Sequence, residues 1–157
     1  MEHSVKVGFS FGVASGIITT LGLMVGLEAT ASKAVVLGGI ITIAIADAFS
    51  DALGIHMSEE SEGKHSAKEV WTATVATWLT KFIVACTFII PVLLLPLHTA
   101  VIVSVIWGLS VLSVRSYFLA KAEKTKAWHV IGEHLLIAVV VIIVTHIVGD
   151  FVASRFA

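Results

Sequence analysis

The sequence predicts an all-α integral membrane protein of five transmembrane helices, and three observations predict it. The 157-residue chain is 57% apolar and only 13% charged, where a soluble domain carries about 25% charged residues. Its mean hydropathy is +1.01. Five apolar stretches also reach the roughly 20 residues needed to cross a hydrocarbon core of about 30 Å. The formal net charge of −1 leaves no basic footprint for nucleic acid. A lone Cys86 excludes an internal disulfide and a four-cysteine metal site. Residues 1–157 read as one membrane domain.

The first span runs from Val7 to Leu27 without a charge. Ala29-Thr30-Ala31 follows it like a signal-peptidase site, but the apolar run is longer than the roughly 7 to 15 residues of a signal core, so a permanent span is expected. Gly8, Gly12, Gly16, Gly22 and Gly26 fall within about 120° on a helical projection, with Ser15 and Thr19 inside the same stripe. Such a face permits close helix approach. It suits either tight packing within one chain or a homodimer seam, and the seam is the expectation adopted.

The second span, Ala34 to Met57, carries Asp47 and Asp51 about one turn apart, in a setting where one carboxylate costs roughly 2.5 to 3.5 kcal/mol. The third, Val70 to Leu95, is interrupted by Lys81. The fourth, Leu97 to Leu119, follows at once because Pro91 and Pro96 break the helix, leaving a tight turn expected around His98. Trp128 to Phe151 is the fifth.

Lys6, Lys64, Lys68, Arg115, Lys121, Lys124 and Lys126 fall on the side of the N-terminus, against Lys33 and Arg155 opposite. The expectation is a multi-pass protein of the cell membrane with a cytoplasmic N-terminus and the C-terminus across the bilayer.

Helical rise then places Asp51 about 9 Å, Asp47 about 15 Å and Lys81 about 16 Å from the cytoplasmic helix ends, with Glu133 about 8 Å deep. Asp47 and Lys81 should therefore lie within ion-pair reach. Polar faces at such depth must meet each other, water or a ligand. Carboxylates are hard donors for a divalent ion, and imidazole suits Fe2+ and other transition metals. The expected metal site is Asp47 and Asp51, with Ser15 and Thr19 as neutral oxygens and with Lys81 and Glu133 as charge-coupling groups. Asp47 and Lys81 could instead be a structural ion pair alone. His56, Met57, Glu59, Glu60, Glu62 and His65 are candidates for capturing metal at the cytoplasmic mouth, or else a solvated loop.

Four segments together resemble the vacuolar iron transporter family: "GFSFGVASGIITTLGLMVG" from Gly8, "ADAFSDALGIHMSEESE" from Ala46, "IIPVLLLPL" from Ile89 and "HLLIAVVVIIVTHIVGDFV" from His134. The resemblance implies a five-helix homodimer exporting Fe2+, often Mn2+ as well, from the cytoplasm in exchange for protons. It also implies an ion path along the dimer interface, lined by the first two helices. Family members usually place an aspartate where this chain has Ser15 and a methionine where it has Asp51, so a carboxylate has moved between helices. Many also carry a glutamate-rich cytoplasmic domain after the second span, of which only Ser58 to Glu69 is present here.

The function expected is a proton-coupled Fe2+/Mn2+ exporter with no tightly bound cofactor, its partners being the bilayer, its metal cargo and a second copy. A scaffold of the same fold, or a carrier of another cation, is the alternative. No H-E-x-x-H, nucleophile elbow or P-loop lysine points to an enzyme.

Overall fold

A computed structural model describes residues 2–156 as helices joined by short turns, with no strand among them. The elements are α1 (Glu2–Leu27), α2 (Lys33–Thr42), a π-helical segment (Ile43–Asp47), α3 (Ala48–Ser61), α4 (Ala67–Thr87), α5 (Ile89–Leu94), α6 (Leu97–Ala122) and α7 (Ala127–Phe156). They build five rods long and apolar enough to cross a membrane: His3–Leu27, Lys33–Ser61, Ala67–Leu94, Leu97–Ala122 and Ala127–Phe156. The number and order of spans match the sequence reading, while each helix except the first at its far end and the fourth at its start differs from it by one to five residues. Caps explain two of the starts. Ser32 accepts the amide of Val35 at the head of α2, and Ser66 forms a capping box with Glu69 at the head of α4.

Pro91 breaks the third rod one turn before itself. It has no N–H to offer the carbonyl of Thr87, and α4 ends there, with Phe88 in a turn before α5. The sharp reversal then falls at Leu95, which is extended (φ −120°, ψ 158°) as a residue before proline prefers. The turn expected around His98 is thus centred at Leu95 and Pro96, and His98 stands in the first turn of α6.

The first span is the hub. Val13, Ile17, Leu21, Met24 and Val25 of α1 form the middle of the core, with Val36, Ile40, Phe88, Val92, Ala100, Leu112 and Ala138 packed around them. Half of the most apolar stretch of α1 is buried, against 11% for α7, whose outer faces are long rows of exposed Ile and Val.

Its glycines explain how neighbours come so close. A Cβ at Gly8 would sit 2.4 Å from the Ala73 carbonyl oxygen, and one at Gly12 would sit 2.8 Å from that of Thr77. Gly16 faces Val84, while Gly22 and Gly26 face Val141 and Thr145 of α7. This corrects the homodimer seam expected on Gly8, Gly12, Gly16, Gly22 and Gly26. Those glycines are covered by α4 and α7 of the same chain, so no glycine face of α1 is left for a second copy.

Candidate functional site

Lys81 is completely buried at the meeting of α1, α4 and the second span. Its Nζ lies 2.5 Å from Oδ2 of Asp47 and 2.5 Å from Oδ2 of Asp51. It donates hydrogen bonds to Asp51 Oδ2 and, at 2.9 Å, to Ser15 Oγ, whereas its approach to Asp47 is an ion pair without hydrogen-bond alignment. Ser15 in turn donates to Asp51 Oδ2 at 2.5 Å. Two carboxylates share one ammonium, so with all three ionised the centre carries one net negative charge.

Burial divides the two aspartates. The Asp51 side chain is 20% exposed and enclosed by Ser15 and Lys81, while Asp47 is 37% exposed and opens outward from the bundle. By backbone position Asp47 is deeper in the span, yet Asp51 is the more enclosed. Exposure in the middle of a span means lipid or another protein, so the outer side of Asp47 is unfinished.

The π segment makes this geometry. Val36, Ile40, Ala44, Ala48 and Ala52 recur every four residues and are all buried, although in a straight α-helix a four-residue repeat drifts by about 40° each step. The wider i→i+5 turn from Ile43 to Asp47 takes up part of that drift. It keeps the small apolar row on the core while Asp47 and Asp51 both reach Lys81. From sequence, equal depth pointed to Asp47 as the partner of Lys81, and Asp51 was expected as a metal ligand only; its hydrogen bond to Lys81 depends on that irregular turn and on Ser15. A four-residue alanine-rich repeat outlasting helical drift was the available signal.

The remaining candidates disperse. Thr19 donates its hydroxyl to the carbonyl of Ser15, 2.8 Å away, and hydrogen-bonds neither aspartate. Glu133 is exposed on α7 and is not among the partners of Lys81, so its expected charge coupling is corrected. At the end of the second span, His56 Nδ1 pairs with Thr74 Oγ1 at 2.9 Å and its ring packs edge-on to Trp71. Met57, Glu60 and Glu62 are exposed. Glu59 is buried, with its Oε2 3.6 Å from His65 Nε2, and Glu62 lies 3.7 Å from the same nitrogen. His56, Glu60 and His65 line a common cleft of about 190 Å³. Among the described residues no three His, Cys, Asp or Glu side chains are arranged to hold a metal ion.

At the opposite membrane face, Glu28 pairs with His98 at 2.5 Å, and both line a cleft with His146. His146 lies 3.6 Å from Asp150, one turn further along α7.

No family model matches the chain, and no curated protein is similar enough to it to serve as a relative. The likeness to vacuolar iron transporters rests on the four sequence segments.

Proposed function

We propose that the protein carries divalent transition-metal ions, Fe2+ and Mn2+, out of the cytoplasm in exchange for protons, with Asp47 and Asp51 as the cargo site. One observation carries this reading: two carboxylates at membrane depth, beside a π-helical turn, share a single fully buried lysine. Buried charges in a span are costly and are retained mostly where ions or protons pass. Lys81 then acts as the resident cation of the metal-free state. A dication arriving on the same oxygens repels the ammonium, which lies 2.5 Å from each of them. The site relieves this by releasing the lysine proton, which ties metal entry to proton exit.

Asp47 and Asp51 of one chain supply too few oxygens to fill the coordination sphere of a dication, and a second copy supplies more. We assign that copy to the outer face of the second span. Gly38, Thr42, Ala46, Ser50 and Gly54 are exposed there beside Asp47, and a Cβ at Gly38 or Gly54 meets nothing within 4 Å. Small residues at four-residue spacing suit close helix pairing in a bilayer. Across a two-fold axis the site would hold four carboxylates and two lysines. In a Cys86→Ser background, Ala46→Cys should form an intermolecular disulfide and Gly12→Cys should not.

Reconstitution tests the transport reading. Liposomes with a metal indicator and a pH indicator inside should report Mn2+ movement accompanied by opposing proton movement. A non-transporting scaffold is the second reading, favoured by a Lys81 that already neutralises one aspartate and by the absence of a three-ligand metal cluster among the described residues. Folded protein that moves neither Mn2+ nor protons would establish it.

A further inference from the structure

Arg115 is a charge that the transport site does not use. It sits half-buried on α6, seven residues before the helix ends at Ala122. Among the described residues no carboxylate comes within 4.0 Å of it and no hydrogen bond reaches its guanidinium; Glu123 attracts it only from further away. An arginine within a span normally finds an anion or reaches the interface.

Two cavities meet at this side chain. On one side a pocket of about 550 Å³ gathers His3, Lys6, Arg115 and His134, with the carboxylate of Glu123 among the described lining residues. His134 is held by Ser116, whose Oγ is 2.7 Å from Nδ1, so its other ring nitrogen is not used in that bond. On the other side an apolar groove of about 560 Å³ runs between α1 and α6, walled by Phe9, Val13, Trp107, Val111, Val114 and Phe118. The polar atoms along it are engaged: Trp107 donates to Thr87, and Ser110 donates to the carbonyl of Ile106.

We propose that this is a binding site for an anionic phospholipid of the leaflet on the N-terminal side of the bundle. Arg115 takes the phosphate, Lys6 and His134 flank the headgroup, and one acyl chain lies in the groove. Charge complementarity selects an anion, because the Arg115 guanidinium stays charged, has no carboxylate within ion-pair reach among the described residues, and repels a metal ion. The adjoining groove selects an amphiphile. It lies within the spans, where lipid reaches it and a soluble peptide does not, and a free phosphate leaves it unfilled. The lipid would bridge α1, which carries Ser15, to α6. The site stands independently of the transport reading.

The test titrates purified protein in mild detergent with dioctanoyl phosphatidylglycerol, dioctanoyl phosphatidylcholine or inorganic phosphate, following the unfolding temperature and lipid adducts by native mass spectrometry. The phosphatidylglycerol should bind with saturation and stabilise, at least about tenfold more tightly than the phosphatidylcholine, while phosphate gives no shift. Arg115→Gln should weaken it about tenfold, as loss of a charged hydrogen bond does, and Arg115→Lys should retain most of the affinity. Val114→Trp, at an exposed position of the groove, carries the same test by filling the acyl path, should Arg115→Gln fail to fold. Equal affinity for the two lipids would overturn the proposal, as would a full response to phosphate or wild-type lipid affinity in both variants. A Val114→Trp protein that loses a dimer but keeps its lipid affinity would overturn it in favour of a second copy in the groove.

Discussion

Small residues line both of the first two spans, and the two stripes meet different surroundings. On α1, Gly8 and Gly12 press against the backbone of α4, so closely that an added methyl group would overlap carbonyl oxygens. On the second span Gly38 and Gly54 have nothing within 4 Å of an added Cβ. Spacing in a sequence says that a helix can be approached closely; it does not say by what. The neighbours of α1 come from its own chain because α1 is also lined by Ile17, Leu21 and Met24, which make it the centre of the core. The second span is covered on one side only and leaves Asp47 at the edge of the uncovered side.

The sharpest way to break this comparison is to add bulk to both stripes. Gly8→Leu places a side chain where the Ala73 backbone stands, and backbone retreats only if α4 moves. Folded protein should be lost, read as disappearance of the monodisperse peak in size-exclusion chromatography. Gly54→Leu should still give folded protein and act on the association of chains instead.

Next in size is the shared lysine. Lys81→Met leaves Asp47 and Asp51 with no ammonium and should cost about 3 to 5 kcal/mol, the usual penalty for a bared buried charge. Because Lys81 serves both aspartates, adding Asp47→Asn alone leaves Asp51 bare. Only the triple variant with Asp47→Asn and Asp51→Asn should recover most of the loss in thermal unfolding.

Ser15→Ala removes a hydroxyl that both donates to Asp51 and accepts from Lys81. It should cost about 1.5 to 3 kcal/mol, the range for hydrogen bonds to charged groups. The smallest effect on the fold of the single chain is expected from Gly38→Ala or Gly54→Ala, where open space within the chain and better helix propensity keep the change within about 1 kcal/mol and in the stabilising direction. If Gly8→Ala proved as harmless as Gly54→Ala, the contrast between the stripes would fail.

Much of this was legible in the sequence, for physical reasons. Spans follow from hydropathy because a bilayer demands about 20 apolar residues, and their ends were misjudged where helices continue into polar residues such as Lys33 and Glu59. Depth paired Asp47 with Lys81 because helical rise is regular. It could not include Asp51 in that pair, since rotation through Ile43 to Asp47 is irregular and the enclosing hydroxyl comes from Ser15, in another span. Thr19 shared a stripe with Ser15, yet its hydroxyl is turned to its own backbone. Arg115 counted in the sequence only as a topological charge; that it lines both a basic pocket and a dry groove depends on how α1 and α6 pack.

In the proposed transport cycle Asp47 and Asp51 hold the cargo and Lys81 exchanges with it. The most direct test is Mn2+-driven proton movement in liposomes containing either wild-type protein or the Asp47→Asn, Asp51→Asn double variant, with folding of both verified by chromatography. Opposing Mn2+ and proton fluxes are expected for the wild type and less than about a tenth of that rate for the double variant, since no carboxylate remains to bind a dication. Mn2+ flux at the wild-type rate through the double variant would contradict that cycle.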